Sequence, residues 1–184
     1  MLFRSNAPKL DLLFAISSTS TDADDTLQLM TSAIDSLVHK YDSSNIRYGL
    51  LVYGDDATIV FDLKNNTYAN KIKEQLTVLT SLVGQSALDK ALEAAAKMFA
   101  EAGDRPDTDR ALVIMIDKSS LLSEDIGIDA TKPLEQMAVK IIPVAVGDQV
   151  NPTEFKIITV KENVIAAAKD ENPDDLGEIG RAHV

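Results

Sequence analysis

Two hydrophobic rhythms alternate along the chain. Short runs that are apolar at nearly every position are separated by longer stretches with apolar residues at helical spacing. Lys9 to Ile16 (KLDLLFAI) has the length of a strand. Asp24 to Tyr41 follows, with Leu27, Met30, Ile34, Leu37, Val38 and Tyr41 on one helical face, and Asp24 and Asp25 suit the positive end of that helix. Ile46 to Tyr53 (IRYGLLVY) predicts a strand, Gly54-Asp55-Asp56 a turn, and Ala57 to Phe61 (ATIVF) a returning strand, so a hairpin is expected.

Two helices are predicted next. Tyr68 to Leu79 sets Ile72, Leu76 and Leu79 on one face, and Ala87 to Ala100 does the same with Leu88, Ala91, Leu92, Ala95 and Phe99. The polar loop Gly103-Asp104-Arg105-Pro106-Asp107 leads into Ala111 to Ile116 (ALVIMI), apolar on both faces as a central parallel strand must be. A helix over Thr131 to Val139, a strand over Lys140 to Val146, a short helix from Pro152, a strand over Val164 to Ala168 and a helix from Pro173 are expected to complete the chain. Pro152 and Pro173 suit a first helical turn, each after an asparagine that can cap it. Strands alternating with helices predict an α/β domain: a doubly wound, mostly parallel six-stranded sheet with one antiparallel edge strand and helices on both faces.

Composition narrows the chemistry. The 184 residues suffice for one ordinary domain, expected over 9–182 after an N-terminal extension of residues 1–8. No apolar run approaches the ~18 residues of a membrane span, and Met1 to Pro8 is too short and polar for a signal peptide. A net charge of −11 without a basic run argues against a nucleic-acid surface. Cysteine is absent, which excludes disulfides and thiolate chemistry, and with 5% aromatics a base- or sugar-stacking platform is not expected. No Gly-x-Gly-x-x-Gly follows the first strand, and no Gly-Lys-Ser/Thr occurs. Gly84-Gln85-Ser86 has half the form of a nucleophile elbow, but Leu88 stands where the last glycine should be. The histidines, His39 and His183, are expected on the surface. Asn65-Asn66-Thr67 is a glycosylation acceptor pattern centred on Asn65.

Five segments carry a resemblance to the von Willebrand factor A family. "DLLFAISSTSTDADDTL" resembles its first strand and metal-site loop, which reads Asp-x-Ser-x-Ser. "RYGLLVYGDDATIVFDL" resembles its hairpin, "VGQSALDKALEAA" its Gly-Gly-Thr-x-Thr-Gly-x-Ala-Leu stretch, "ALVIMIDKSS" its central strand ending in Asp-Gly, and "KIIPVAVGDQV" a late strand ending in Val-Gly. The resemblance covers about residues 9 to 182 and implies a metal-ion-dependent adhesion site. Aligned on Asp11, the site residues are Ser17, Thr19, Thr21, Ser86 and Asp117. Ser17 then occupies the place of the family's first aspartate, and Lys118 that of a glycine.

Mg²⁺ wants six hard oxygens and dehydrates reluctantly; one carboxylate among four hydroxyls is a weak set, and an ammonium nearby opposes a cation. The site is therefore expected to be degenerate, with no cofactor, or at most weak Mg²⁺ or Ca²⁺. Asp22, Asp24 and Asp25 offer alternative carboxylates but are read as helix caps, and Asp55 and Asp56 as a turn. The resemblance implies a non-enzymatic protein-binding domain of a secreted or extracellular-matrix protein. Its implied partners are collagen, other matrix proteins or neighbouring A domains, with no nucleic acid and no membrane insertion. An intracellular scaffold role in a multiprotein complex is the alternative, and an enzyme on a doubly wound sheet a third reading.

Overall fold

β1 (Lys9–Ser17) is the hub of the sheet, paired in parallel on one side with β2 (Ile46–Tyr53) and on the other with β4 (Thr108–Ile116). β2 turns back through the hairpin into the antiparallel edge strand β3 (Ala57–Phe61), and β4 is followed outward by β5 (Val139–Val146). The structure, a computed structural model, describes residues 9–17, 23–41, 44–64, 69–79, 86–117, 124–146, 150, 158 and 165–167.

The expectation of a six-stranded sheet is corrected. Five strands of five residues or more form it, and beyond β5 lies a three-residue segment, β6 (Ile165–Ala167), paired with Val144–Val146 alone. The residues on either side of it, 161–164 and 168–170, which include both ends of the expected strand Val164 to Ala168, lie outside the described residues. The order is β3-β2-β1-β4-β5-β6, so the chain reverses direction across the sheet between β1 and β4, which leaves a crevice at their carboxyl ends.

Alternation in β1 feeds two cores. Leu12, Phe14 and Ile16 point to one face, where Met30, Ile34 and Val38 of α1 (Ala23–Lys40) and Ile72 and Leu76 of α2 (Ala69–Thr77) cover them. Leu13 and Ala15 point to the other, beneath Leu92, Ala95 and Phe99 of α3 (Leu88–Glu101) and Leu134 of α4 (Glu124–Gln136). Gly49 makes that second face possible: a Cβ there would sit 2.9 Å from Leu13 Cδ1 and 3.2 Å from both Leu63 Cγ and Met98 Cε.

At the amino ends of the strands Asp11, 1% exposed, joins three chain segments. It accepts from Arg47 Nε at 2.7 Å and from Arg47 Nη2, and from Arg105 Nη2. The guanidiniums in turn donate to backbone carbonyls, Arg47 to Ala102 at 2.8 Å and Arg105 to Leu10 at 3.0 Å. Burial works to raise the carboxyl pKa, and the two arginines outweigh it, so Asp11 is held below its ordinary value.

Other boundaries moved for local reasons. α4 starts at Glu124, seven residues before the expected Thr131, because Gly127 and the acidic residues around it blur the helical rhythm. It ends at Gln136 rather than Val139, since Ala138 adopts a positive φ of 54° and releases the chain into β5. β4 begins at Thr108, three residues before its apolar part, where it pairs with Lys9–Asp11. The segments expected as helices from Pro152 and Pro173 lie outside the described residues, as do Asn65 and His183. No helix among the described residues is long and apolar enough to cross a membrane.

Candidate functional site

The carboxyl ends of β2, β1 and β4 lie side by side and deliver three residues to one place. Ser17 ends β1 opposite Tyr53, the last residue of β2, and Asp117 follows β4 directly. The fourth residue, Ser86, arrives from the segment before α3. The backbone holds it there, because Ala87 N–H donates to Gly54 O at 2.8 Å and so ties the entry of α3 to the β2–β3 turn. α3 starts without a side-chain cap, and that tie takes up one of its N-terminal donors.

Within the cluster Ser17 Oγ lies 3.3 Å from Ser86 Oγ, and both side chains are buried, as is that of Asp117. Tyr53, with no exposed surface, reaches between the strands and donates its hydroxyl to Met115 O at 3.2 Å. Burial raises the phenol pKa well above its ordinary range, and the negative charge of Asp117 raises it further; hydrogen bonding to the hydroxyls of Ser86 and Ser17 acts in the opposite sense. Tyr53 therefore stays a neutral phenol, and it links hydroxyls from the end of β1 and from the segment before α3 to the backbone of β4.

Three of the five expected ligand positions, Ser17, Ser86 and Asp117, fall around this phenol. Thr19, Thr21 and Lys118 lie outside the described residues. Among the described residues no group of three or more His, Cys, Asp or Glu side chains is placed to hold a metal ion. The described donors amount to one carboxylate and neutral hydroxyls, which is a poor fit for a dication that must give up water to enter. Missing the aspartate at position 17 also removes the acceptor that would orient neighbouring hydroxyls.

The competing features sort themselves locally. Asp56 Oδ1 accepts the N–H of Ala57 at 2.8 Å, as expected of an acidic hairpin turn. His39 is a surface residue that pairs with Asp35 on the preceding turn of α1, 3.1 Å away, and is remote in sequence and topology from Ser86. Of Asp22, Asp24 and Asp25, no side chain is described. Tyr53 was not among the expected site residues; it joins the cluster through the register of β2 on β1, which sets it beside Ser17.

Solved structures share this fold. Proximal thread matrix protein 1 from the mussel byssus superposes with a TM-score of 0.82 at 19% identity, over 94% of this chain and 47% of the mussel chain. The same mussel protein with a zinc-occupied MIDAS motif gives 0.76 at 18% identity, over 95% of this chain and 47% of the other. The conserved hypothetical protein BatB from Bacteroides thetaiotaomicron gives 0.74 at 16% identity, over 94% of this chain and 96% of that one. This chain thus spans about half the length of the mussel protein. At these identities the likeness is one of fold. A profile of the von Willebrand factor type A domain matches residues 11–182, nearly the whole sequence, and the chain belongs to that family.

Proposed function

We propose that this chain is a non-enzymatic protein-interaction domain of a secreted or extracellular-matrix protein, and that it binds matrix partners without tight metal coordination. The observation that carries the reading is Ser17. It stands where the family's site places its first aspartate, and its hydroxyl is engaged with Ser86 and with the buried phenol of Tyr53. A site with Asp117 as its carboxylate supplies one negative charge toward a dication, so recognition passes to ordinary surface complementarity with collagen, another matrix protein or a neighbouring A domain. The similarity in fold to a mussel thread matrix protein supports the extracellular setting.

The test is a thermal melt in chelator, then in millimolar Mg²⁺, Ca²⁺ and Mn²⁺, repeated on Asp117→Ala. A ligand that binds the folded state alone must raise the melting temperature. The expected result is no rise. A rise that disappears in Asp117→Ala overturns the metal-independent reading. Binding to immobilised collagens and matrix proteins, with and without chelator, then tests the partner class: the expected signal is the same in both, and no binding to any of them removes the matrix assignment.

A further inference from the structure

β3 has a neighbour on one side alone among the described residues, since it ends the strand order beside β2. Such an edge offers unpaired backbone groups to any extended chain, and natural sheets blunt it with lysine, proline or an inward charge. Ala57-Thr58-Ile59-Val60-Phe61 contains none of these. It carries one edge-blunting device, the bulge at Val60, but that lies at the Phe61 end, and Ala57 to Ile59 pair regularly with Tyr53 to Leu51. Ile59 is 46% exposed although Leu51, opposite it, is fully buried. An apolar side chain therefore projects past the cover of the sheet at the middle of an open edge.

Charge selects the occupant. Asp55 and Asp56 precede the strand and Asp62 follows it, on a chain of net charge −11. A second copy pairing antiparallel about Ile59 would set Asp56 opposite the other copy's Asp62, and like charges directly opposite destabilise a pair. We propose that the outer edge of β3 accepts, as an added strand, an extended segment of a partner protein that is β-branched at its centre and carries Lys or Arg at both flanks. Main-chain bonds supply the affinity, and contact with Ile59 together with the basic flanks supplies the selection. This surface is separate from the Ser17–Ser86–Asp117 cluster, so the two readings stand or fall independently.

The test uses isotope-labelled protein and two peptides, Lys-Lys-Thr-Val-Thr-Val-Thr-Lys-Lys and its counterpart with aspartate for every lysine. The basic peptide is expected to shift the amide resonances of residues 57–61 and slow their hydrogen exchange. It should bind at least tenfold more tightly than the acidic one and weaken as salt is raised. Ile59→Lys, at a half-exposed position where the variant should melt close to the wild type, should abolish the response, whereas Asp117→Ala should keep it. Equal response to both peptides, shifts elsewhere on the protein, no response at millimolar peptide, or dimerisation blocked by Ile59→Lys would each overturn the proposal.

Discussion

Ser17 and Tyr53 end adjacent parallel strands at the same level, so the hydroxyls of β1 and β2 meet at the carboxyl edge of the sheet. The phenol also donates to Met115 O of β4, which makes it a cross-link among three strands and the segment before α3. Tyr53→Phe keeps the buried ring and removes these bonds. It leaves the carbonyl of Met115 and the two serine hydroxyls short of a partner in a dry place, at a cost of about 1–3 kcal/mol. Urea denaturation should show a lower midpoint with an unchanged slope, because the fold and its buried area are the same.

The opposite edge of the sheet predicts the acid response. Asp11 has its pKa lowered from an ordinary value of 3.8, because hydrogen bonds and charge from Arg47 and Arg105 outweigh burial. A folded-state pKa below the unfolded one means that the unfolded chain binds the proton first as pH falls. The contribution of Asp11 is therefore fully present above about pH 5, where the unfolded group is ionised, and is lost progressively below it as pH falls through the folded value. Asp11→Asn leaves two guanidiniums facing a neutral amide and should cost about 3–5 kcal/mol at neutral pH. Stability measured against pH should show a smaller loss below about pH 5 in the variant than in the wild type.

Much of this fold was legible because its central strands are buried on both faces and its helices on one. Runs such as ALVIMI and faces such as Leu88, Leu92 and Phe99 announce those environments directly. What escaped is what depends on pairing. Ser17, Ser86 and Asp117 could be placed by resemblance, but Tyr53 enters the site through strand register, which no local pattern encodes. Asp11 served the resemblance as the aspartate on which the motif aligns, but the partners it binds lie 36 and 94 residues away, beyond any local pattern.

Gly49 sits where β1, α3 and the end of the hairpin pack closely together. A Cβ would meet Leu13 Cδ1 at 2.9 Å, a distance at which something must shift, with Leu63 and Met98 closing two other sides. Gly49→Ala adds one methyl to a filled core and should cost about 1–3 kcal/mol. The variant's melting temperature should fall by roughly 2–12 °C, given about 2–4 °C per kcal/mol for a chain of this size. Trimming the flexible neighbour in Gly49→Ala/Met98→Ala should show non-additive costs, since the two residues touch.

Restoring a carboxylate tests what Ser17 removed. Ser17→Asp introduces a second acidic group into a buried cluster beside Asp117 and Tyr53. Without a cation the two carboxylates repel and one of them is pushed toward its protonated form, so in chelator the variant should melt below the wild type. Two carboxylates with hydroxyls are a far better set of hard oxygens for Mg²⁺ or Mn²⁺. At a metal concentration a hundredfold above the dissociation constant, binding adds about 2.7 kcal/mol, or on the order of 5 °C or more in melting temperature. The variant should therefore regain stability on adding Mn²⁺, while the wild type does not respond and Ser17→Asp/Asp117→Ala does not recover. Recovery of the double variant would place the ion elsewhere, and an equal response from the wild type would mean that serine at position 17 had never weakened the site.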